Sequence, residues 1–206
     1  MGDRRCYTLQ TRPRTMKKSG NFRDKNLVFV DVETTGLSPD VHEVIEVAAI
    51  VADGENFNEV RSYSSKIKPE HIERAEKEAL KINGYSPEKW RDALPAKEAF
   101  LTVANISPNG IIAGWNVAFD WDFLEHAFAR NKIIHKFDYH KIDVPSITYA
   151  KLFKIGKFGG LGLRSVAPLF GIKLPQVHSA MEDVRATYEI FKKVLGAESK
   201  QRSLGI

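Results

Sequence analysis

The sequence predicts a mixed α/β domain. Its first half holds apolar and alternating runs that are typical of strands, whereas its second half holds most of the amphipathic patterns that are typical of helices. A short apolar run between the helices adds one more strand, so strands and helices share one unit. With 206 residues, 43% of them apolar and 28% charged, the chain has the length and composition of one globular domain.

Three strands are expected before the first helix. The segment NLVFVDV has the continuous apolar run of a buried strand. A second strand is expected in EVIEVAAIVADG, which Asp53 and Gly54 end with a turn. Its hairpin partner is expected in NEVRSYSSKIKP, which ends at Pro69.

Helices are expected in most of the remaining chain. The first lies in EHIERAEKEALKING, where Asn83 and Gly84 end it, and the second lies in AKEAFLTVANI. The apolar segment GIIAGWN predicts a short strand, and FDWDFLEHAFARN predicts an amphipathic helix after it. Later helices are expected in VPSITYAKLF, in FGGLGLRSVAPLFGI after its Gly-rich turn, and in SAMEDVRATYEIFKKVL.

Basic residues are concentrated at the start of the chain. Residues 1–25 contain eight Lys or Arg and two Asp, whereas residues 26–206 contain 23 basic and 24 acidic residues. We expect residues 1–25 to form a disordered, solvated leader. One alternative is that this charge attracts nucleic-acid phosphates, and another is a mitochondrial presequence with a poor amphipathic pattern.

Cysteine content and hydropathy indicate the cellular compartment of the protein. Cys6 is the only cysteine, which excludes an intrachain disulfide framework and a cysteine-based zinc site. No segment approaches the apolar length of a membrane span, and the N-terminus lacks the apolar region of a secretory signal. We therefore expect a cytoplasmic protein with no membrane partner.

Two acidic residues stand at the end of the first expected strand. Asp31 and Glu33 follow the apolar run from Leu27 to Val30, and residues i and i+2 of a strand point to the same face. Two like charges at the end of a buried element are costly unless something neutralises them. The pair therefore raises the question of what makes this arrangement favourable.

A third acidic residue begins a helix. If Asn116 is the N-cap of the helix in FDWDFLEHAFARN, Asp120 lies in its first turn, beside an apolar stripe that includes Phe123 and Ala127. Asp122 lies about 200° further round the helix and should face solvent.

The last helix carries a fourth acidic residue. Ser179 and Glu182 form an S-x-x-E capping box, which predicts that the helix begins at Ala180 and that Asp183 lies in its first turn. His178 stands just outside this helix, and the break at Ser179 allows it to fold back toward Asp183.

Each feature has a structural explanation when it is taken singly. First-turn aspartates complement the helix dipole, so Asp120 or Asp183 alone is more often structural than catalytic. Residues 31–36 match the start of a calcium loop, but His42 stands where that loop needs glutamate, and a strand precedes the segment. The ordered combination of D-x-E-T-T-G-L, N-x-x-F-D and H-x-x-x-x-D is far more specific than its parts.

This combination resembles the DEDDh family of 3′–5′ exonucleases, which includes the proofreading epsilon subunit of bacterial DNA polymerase III and ribonuclease T. The tyrosine branch of the superfamily has tyrosine where this chain has Ser179, so the histidine branch is indicated. The resemblance implies an α/β, ribonuclease H-like fold, with a mixed five-stranded sheet flanked by helices. The exonuclease domain would span residues 26–195 and be followed by a short C-terminal tail, residues 196–206.

The resemblance also implies the residues of the site. Asp31, Glu33, Asp120 and Asp183 would bind two divalent metal ions, Mg²⁺ or Mn²⁺, and His178 would be the general base. The 3′-terminal nucleotide would lie against further residues of the motifs, namely Thr34, Thr35, Gly36, Leu37, Asn83, Asn116 and Phe119.

The implied activity is hydrolysis of the terminal phosphodiester of single-stranded DNA at its 3′ end, with release of nucleoside 5′-monophosphates, in proofreading, repair or end trimming. An exoribonuclease that trims RNA 3′ ends is the alternative, because the motifs do not read the 2′-hydroxyl. A non-catalytic nucleic-acid-binding or polymerase-scaffold domain would lack one of the five catalytic residues, and none is missing.

The segment QRSLGI at the end of the chain is similar to the short peptides with which bacterial replication proteins bind the sliding clamp. In such a peptide Gln201 would enter a polar slot, and Leu204 and Ile206 would enter an apolar pocket. A frayed terminus is the simpler expectation, so clamp binding stands as a weaker hypothesis.

Overall fold

A five-stranded mixed sheet forms the centre of the protein, whose computed structural model describes residues 21–153, 156 and 159–196. Strands β1 (Leu27–Thr34), β2 (Val44–Ala52) and β3 (Glu59–Lys66) pair antiparallel in sequence order. Strand β4 (Ile111–Gly114) pairs parallel with β1, and β5 (Lys141–Asp143) pairs parallel with β4. The strand order is therefore β3-β2-β1-β4-β5, with β1 at the centre.

Helices cover the two faces of this sheet. The α-helices of the described residues are α1 (Lys77–Ile82), α2 (Ala96–Ala104), α3 (Val117–Arg130), α4 (Val144–Phe153), α5 (Leu163–Val166) and α6 (Ala180–Leu195). Short 3₁₀ helices occur at Phe22–Asp24, Ile72–Arg74 and Ala167–Phe170.

Alternation along β1 divides the core into two layers. Val28, Val30 and Val32 pack with α2 and α3 on one face of the sheet. Leu27 and Phe29 point to the other face, where they pack with α4, α5 and α6. A central strand that is buried on both faces explains the continuous apolar run in the sequence. By the same alternation, Asp31 and Glu33 point to the face that α6 covers.

The elements expected from the sequence are confirmed, with one correction and one addition. The single helix expected in EHIERAEKEALKING is wrong, because the segment forms the 3₁₀ turn Ile72–Arg74 and the separate helix α1. The Glu76 amide between them donates to the Thr35 carbonyl (2.8 Å), and this tertiary contact holds the chain extended there. Residue patterns do not predict strand β5, because three residues are too few to show a period.

The basic leader falls almost wholly outside the described residues, and so do Gln201, Leu204 and Ile206 of the predicted clamp peptide. Both hypotheses therefore stay predictions. Within residues 21–153, 156 and 159–196, no helix combines the length and the apolar character that a bilayer crossing requires.

Candidate active site

Four carboxylates meet at one end of the sheet. Asp31 and Glu33 come from β1, Asp120 from the first turn of α3, and Asp183 from the first turn of α6. Glu33, Asp120 and Asp183 are buried and Asp31 is half-buried. The structure thus brings together the four residues that the motifs predict, from three parts of the chain.

Asp120 is fixed by the strand that it faces. The backbone N–H of Val32 donates to Asp120 Oδ1 at 3.0 Å, so the carboxylate sits beside the stretch of β1 that carries Asp31 and Glu33. Asp122 is exposed, as the helical register predicts, and its Oδ1 lies 3.2 Å from His126 Nδ1.

The predicted capping role of Asn116 is wrong. Asn116 occupies the N-cap position but adopts a left-handed conformation (φ 62°) and makes no side-chain hydrogen bond to the helix. The carboxylate of Asp143 at the end of β5 replaces it, because its Oδ1 accepts from the backbone N–H of Val117 at 3.3 Å.

His178 folds back onto Asp183, as the break before α6 predicts. Its Nδ1 lies 3.2 Å from Asp183 Oδ2. Glu33, His178 and Asp183 each offer a ligand atom, and these three atoms lie within 4.8 Å of one another. Asp183 Oδ1 is buried and has no hydrogen-bond partner among the described residues.

The start of α6 differs in detail from the predicted capping box. The helix does begin at Ala180, but Ser179 makes no side-chain hydrogen bond to the helix. Its hydroxyl instead donates to Glu46 Oε1 at 3.1 Å. The first turn is therefore tied to the sheet rather than capped within itself.

The carboxylates raise one another's proton affinity. Burial, followed by the charges of Asp120 and Glu33, raises the pKa of Asp31 well above its usual range. Burial and then the charge of Asp183 raise the pKa of Glu33 to about 8. Burial also raises the pKa of Asp120 to about 7, and it raises that of Asp183. Such a cluster binds protons or cations, and oxygen donors of this kind suit hard divalent ions.

The residues predicted to contact the terminal nucleotide lie around this cluster, but several side chains are already engaged. Thr34 Oγ1 donates to the Gly36 carbonyl at 2.7 Å, and Thr35 Oγ1 accepts from the Glu43 N–H at 2.9 Å. Leu37 is 74% exposed and remains free to contact a ligand. The hydroxyls therefore shape the loop after β1.

The other three residues predicted to contact the nucleotide differ in burial and in their contacts. Asn83 is buried, and its Nδ2 donates to the Thr34 carbonyl at 3.0 Å, while its Oδ1 has no partner among the described residues. Phe119 is half-buried and contacts the Phe123 ring, with centroids 5.0 Å apart, and Asn116 is exposed.

Two residues of the site were missed by sequence reasoning. Glu46 pairs with Glu33 across β1 and β2, and it is buried. An acid inside the otherwise apolar strand VIEVAAIVA was a usable signal. Arg164 donates from its Nε to His178 Nε2 at 2.8 Å, and no pattern in its segment pointed to this contact.

Known proteins are similar to this chain in sequence and in fold. The model of the exonuclease family RNase_T matches residues 28–191. The chain is 27% identical over 179 residues to DNA polymerase III PolC-type of Thermotoga petrophila, covering 86% of this chain but only 12% of that protein. It is 28% identical over 193 residues to DNA polymerase III subunit epsilon of Aquifex aeolicus, covering 91% of this chain and 89% of that protein.

Two further similarities complete the comparison. Ribonuclease T of Buchnera aphidicola is 26% identical over 189 residues, which cover 84% of this chain and 85% of that protein. The fold is that of E. coli exonuclease I, solved in complex with a dT13 oligonucleotide. That superposition has a TM-score of 0.71 at 22% identity and covers 84% of this chain and 42% of the other.

Proposed function

This chain belongs to the exonuclease family RNase_T, and we propose that it is a metal-dependent 3′–5′ exonuclease of single-stranded DNA. It would hydrolyse the terminal phosphodiester and release nucleoside 5′-monophosphates. The observation that carries the proposal is the meeting of Asp31, Glu33, Asp120 and Asp183 beside His178.

The donor set fits divalent metal ions. The four carboxylates supply hard oxygen ligands, and their raised pKa values show that their charge is poorly compensated by the protein itself. We infer that they hold two ions, Mg²⁺ or Mn²⁺, which would polarise the phosphodiester and neutralise the charge that develops in an in-line displacement. Asp183 Oδ1, which accepts no hydrogen bond from the described residues, would be a ready ligand atom.

His178 is suited to accept a proton from the attacking water. Nδ1 faces Asp183, so that carboxylate can orient the ring and stabilise the imidazolium that forms. Burial lowers the pKa of His178, while the charge of Asp183 opposes that shift. The neutral ring that a general base needs is therefore available at neutral pH.

The loop after β1 would select the 3′ end of the nucleic acid. We infer that Thr34, Thr35, Gly36 and Leu37 enclose the 3′-terminal nucleotide, with Phe119 as an aromatic surface for the bases. An enclosed terminal nucleotide excludes an internal phosphodiester. Stacking reads no base edge, so weak sequence preference is expected.

DNA is favoured over RNA as the substrate because the chain matches nearly the full length of a DNA polymerase III epsilon subunit. Its similarity over 85% of a ribonuclease T supports the exoribonuclease as the second candidate. The chemistry at the carboxylates is the same for both.

Digestion of end-labelled oligonucleotides tests the function. Matched single-stranded DNA and RNA, labelled at either end, are incubated with Mg²⁺, with Mn²⁺ or with EDTA. We expect 3′-labelled DNA to release labelled mononucleotide at once and 5′-labelled DNA to shorten stepwise, both only with metal. Cleavage of a circular single strand would contradict the exonuclease assignment, and faster digestion of RNA would favour the second candidate.

A further inference from the structure

The side chain of Arg164 is bound directly to the predicted general base. Arg164 is the second residue of α5, and its Nε donates to His178 Nε2 at 2.8 Å. Its Nη1 donates to the carbonyl of Pro175, in the segment that leads to His178. Two donors of one guanidinium thus hold the imidazole and the chain beside it.

These contacts fix the protonation state of the ring. A guanidinium can only donate, so Nε2 must carry the lone pair. The proton of the neutral ring is then on Nδ1, which faces Asp183 Oδ2 at 3.2 Å. Nε2 is also the nitrogen that would accept the proton of the attacking water. Arg164 therefore selects the reactive tautomer and at the same time occupies its reactive atom.

The third nitrogen of the guanidinium faces the carboxylates. Nη2 lies 3.8 Å from Asp183 Oδ1, which is too long for a hydrogen bond. Both atoms are buried and neither has a hydrogen-bond partner among the described residues. A cationic donor is therefore in place beside the position that a phosphodiester would take.

We propose that Arg164 is a positioning residue that holds His178 Nε2 until a phosphate group of the nucleic acid draws the guanidinium away. The proposal rests on the proposed function, since it assigns Arg164 a role at the same site. Guanidinium groups bind phosphate oxygens through paired N–H donors, so a phosphate competes well with a single neutral nitrogen. The general base is then released only when substrate is bound.

The surroundings of Arg164 leave space for this movement. Arg164 is half-buried and lies at the edge of an open cleft of about 470 Å³. The other residues of this cleft are Ala167, Pro168, Gly171, Ile172, Lys173 and Leu174. The side chain of Arg164 therefore borders open space as well as the carboxylates.

Two substitutions separate holding the histidine from binding phosphate. Glutamine places its amide nitrogen the same number of bonds from the backbone as Arg164 Nε, so Arg164→Gln keeps a donor for Nε2 but loses the charge. Arg164→Met loses both. We expect Arg164→Gln to lower kcat at least about tenfold, since general-base catalysis contributes roughly 10²–10⁴-fold. We expect Arg164→Met to raise KM roughly tenfold through loss of the charged contact, with kcat within about threefold of wild type.

The control is Arg61→Gln, which removes the same charge as Arg164→Gln. Arg61 is exposed on β3, where it pairs with Val51, far along the strand from the position opposite Glu46. It should leave kcat and KM unchanged. A general loss of structure would lower the apparent kcat of both Arg164 variants in proportion to the unfolded fraction and leave KM unchanged, and thermal unfolding of each variant identifies such a loss. Equal kcat values for Arg164→Gln, Arg164→Met and wild type would overturn the proposal.

Nitrogen NMR of ¹⁵N-histidine-labelled wild-type protein provides a test without turnover. We expect the His178 Nε2 resonance to be that of a hydrogen-bonded acceptor, to stay so with Ca²⁺ alone, and to shift when thymidine 5′-monophosphate is added with Ca²⁺. A resonance that does not move while the nucleotide binds, or that moves fully with Ca²⁺ alone, contradicts the proposal. Failure of the proposed function would be different, because wild-type protein would then release no mononucleotide with any metal.

Discussion

Asp120 and Asp122 lie two residues apart on α3 and have opposite surroundings. Asp120 is 3% exposed and accepts from Val32 N–H, whereas Asp122 is exposed beside His126. If Asp120 is a metal ligand, as we propose, Asp120→Asn should reduce metal-dependent activity by about three orders of magnitude, because loss of a ligand carboxylate removes several kcal/mol of charge stabilisation. The asparagine keeps an oxygen for Val32, so the fold should persist.

Asp122→Asn is the matched control for this prediction. It removes the same charge from the same helix and should leave the rate of mononucleotide release within about twofold of wild type. Equal loss of activity in both variants would mean that α3 is rotated relative to the metal site.

The raised pKa of Glu33 gives a prediction about stability. Its pKa rises from 4.5 to about 8 in the folded protein, so the folded state binds the proton more tightly than the unfolded state does. This stabilisation is complete below about pH 4.5 and is lost as the pH rises through about 8. In EDTA, the melting temperature should therefore fall between pH 5 and pH 8.5 by an amount on the order of 5 °C.

Two calorimetric measurements isolate the contribution of Glu33 to the change of melting temperature with pH. The melting temperature of Glu33→Gln should fall less with rising pH than that of wild type, because the variant lacks the titration of Glu33. The fall that remains in the variant comes from the other titrating groups, which both proteins share. Mg²⁺ or Mn²⁺ should raise the melting temperature of wild type more at pH 8.5 than at pH 5, since the ions replace protons. A fall with pH that is identical in the variant would exclude Glu33 as its source.

At the scale of elements, Glu46 joins β2 to the beginning of α6. Its carboxylate accepts from the Ser179 hydroxyl at 3.1 Å. Burial raises the pKa of Glu46, and the hydrogen bonds from Ser179 and Ala180 partly oppose that rise. This contact fixes the turn of α6 that carries Asp183. We expect Glu46→Ala to destabilise the protein by about 1–3 kcal/mol, because it removes the acceptor of the half-buried Ser179 hydroxyl and of the Ala180 N–H.

The activity of Glu46→Ala should fall about 10–100-fold, the usual loss when the support of a metal ligand is removed. Glu46→Gln keeps an acceptor oxygen and should restore most of the stability. Mononucleotide release measures the activity, and urea unfolding followed by circular dichroism measures the stability, with Glu98→Gln as an exposed glutamate control. Full activity in Glu46→Ala would contradict a role in placing Asp183.

Periodicity and turn signals were sufficient for the strands β1 to β4 and for the beginning of α6. They failed where a distant residue decides the local structure. Residues 70–84 have a helical pattern, yet Glu76 N–H binds the Thr35 carbonyl and interrupts the helix. Asn116 has the composition of an N-cap, yet Asp143 supplies the hydrogen bond to Val117. Both contacts join residues more than 20 positions apart, which no local pattern contains.

At the scale of the whole molecule, the site depends on the order of the sheet. The first half of β1 pairs with β4, which leads into α3 and Asp120, so Asp31 and Glu33 lie just beyond that pairing. They also lie beneath α6, which carries Asp183. Motifs could identify these four residues because they stand near the ends of three elements, Asp31 and Glu33 in β1, Asp120 in α3 and Asp183 in α6. Glu46 and Arg164 were missed because their roles arise from pairing across strands and across the gap between α5 and α6.

The uneven distribution of charge gives the last prediction. Residues 1–15 contain Arg4, Arg5, Arg12 and Arg14 with a single acidic residue, whereas residues 26–206 are close to neutral. Their removal should leave kcat unchanged, because the four carboxylates and His178 lie elsewhere in the chain. If the alternative holds and these arginines contact phosphates, removal should also weaken binding of single-stranded DNA. The salt dependence of binding should also fall, since each lost phosphate contact lowers the slope of log K against log salt by about 0.7 for a single strand.

The measurement is a titration of fluorescent oligonucleotide in Ca²⁺ at several NaCl concentrations, with full-length protein and protein lacking residues 1–15. Loss of all four arginine contacts would lower the slope by at most about 3. The two affinities should converge at high salt, because screening removes the difference between the proteins. Equal slopes would show that these arginines do not reach the nucleic acid and that the leader is only solvated. An affinity difference that persists at high salt would instead show that residues 1–15 make contacts other than electrostatic ones.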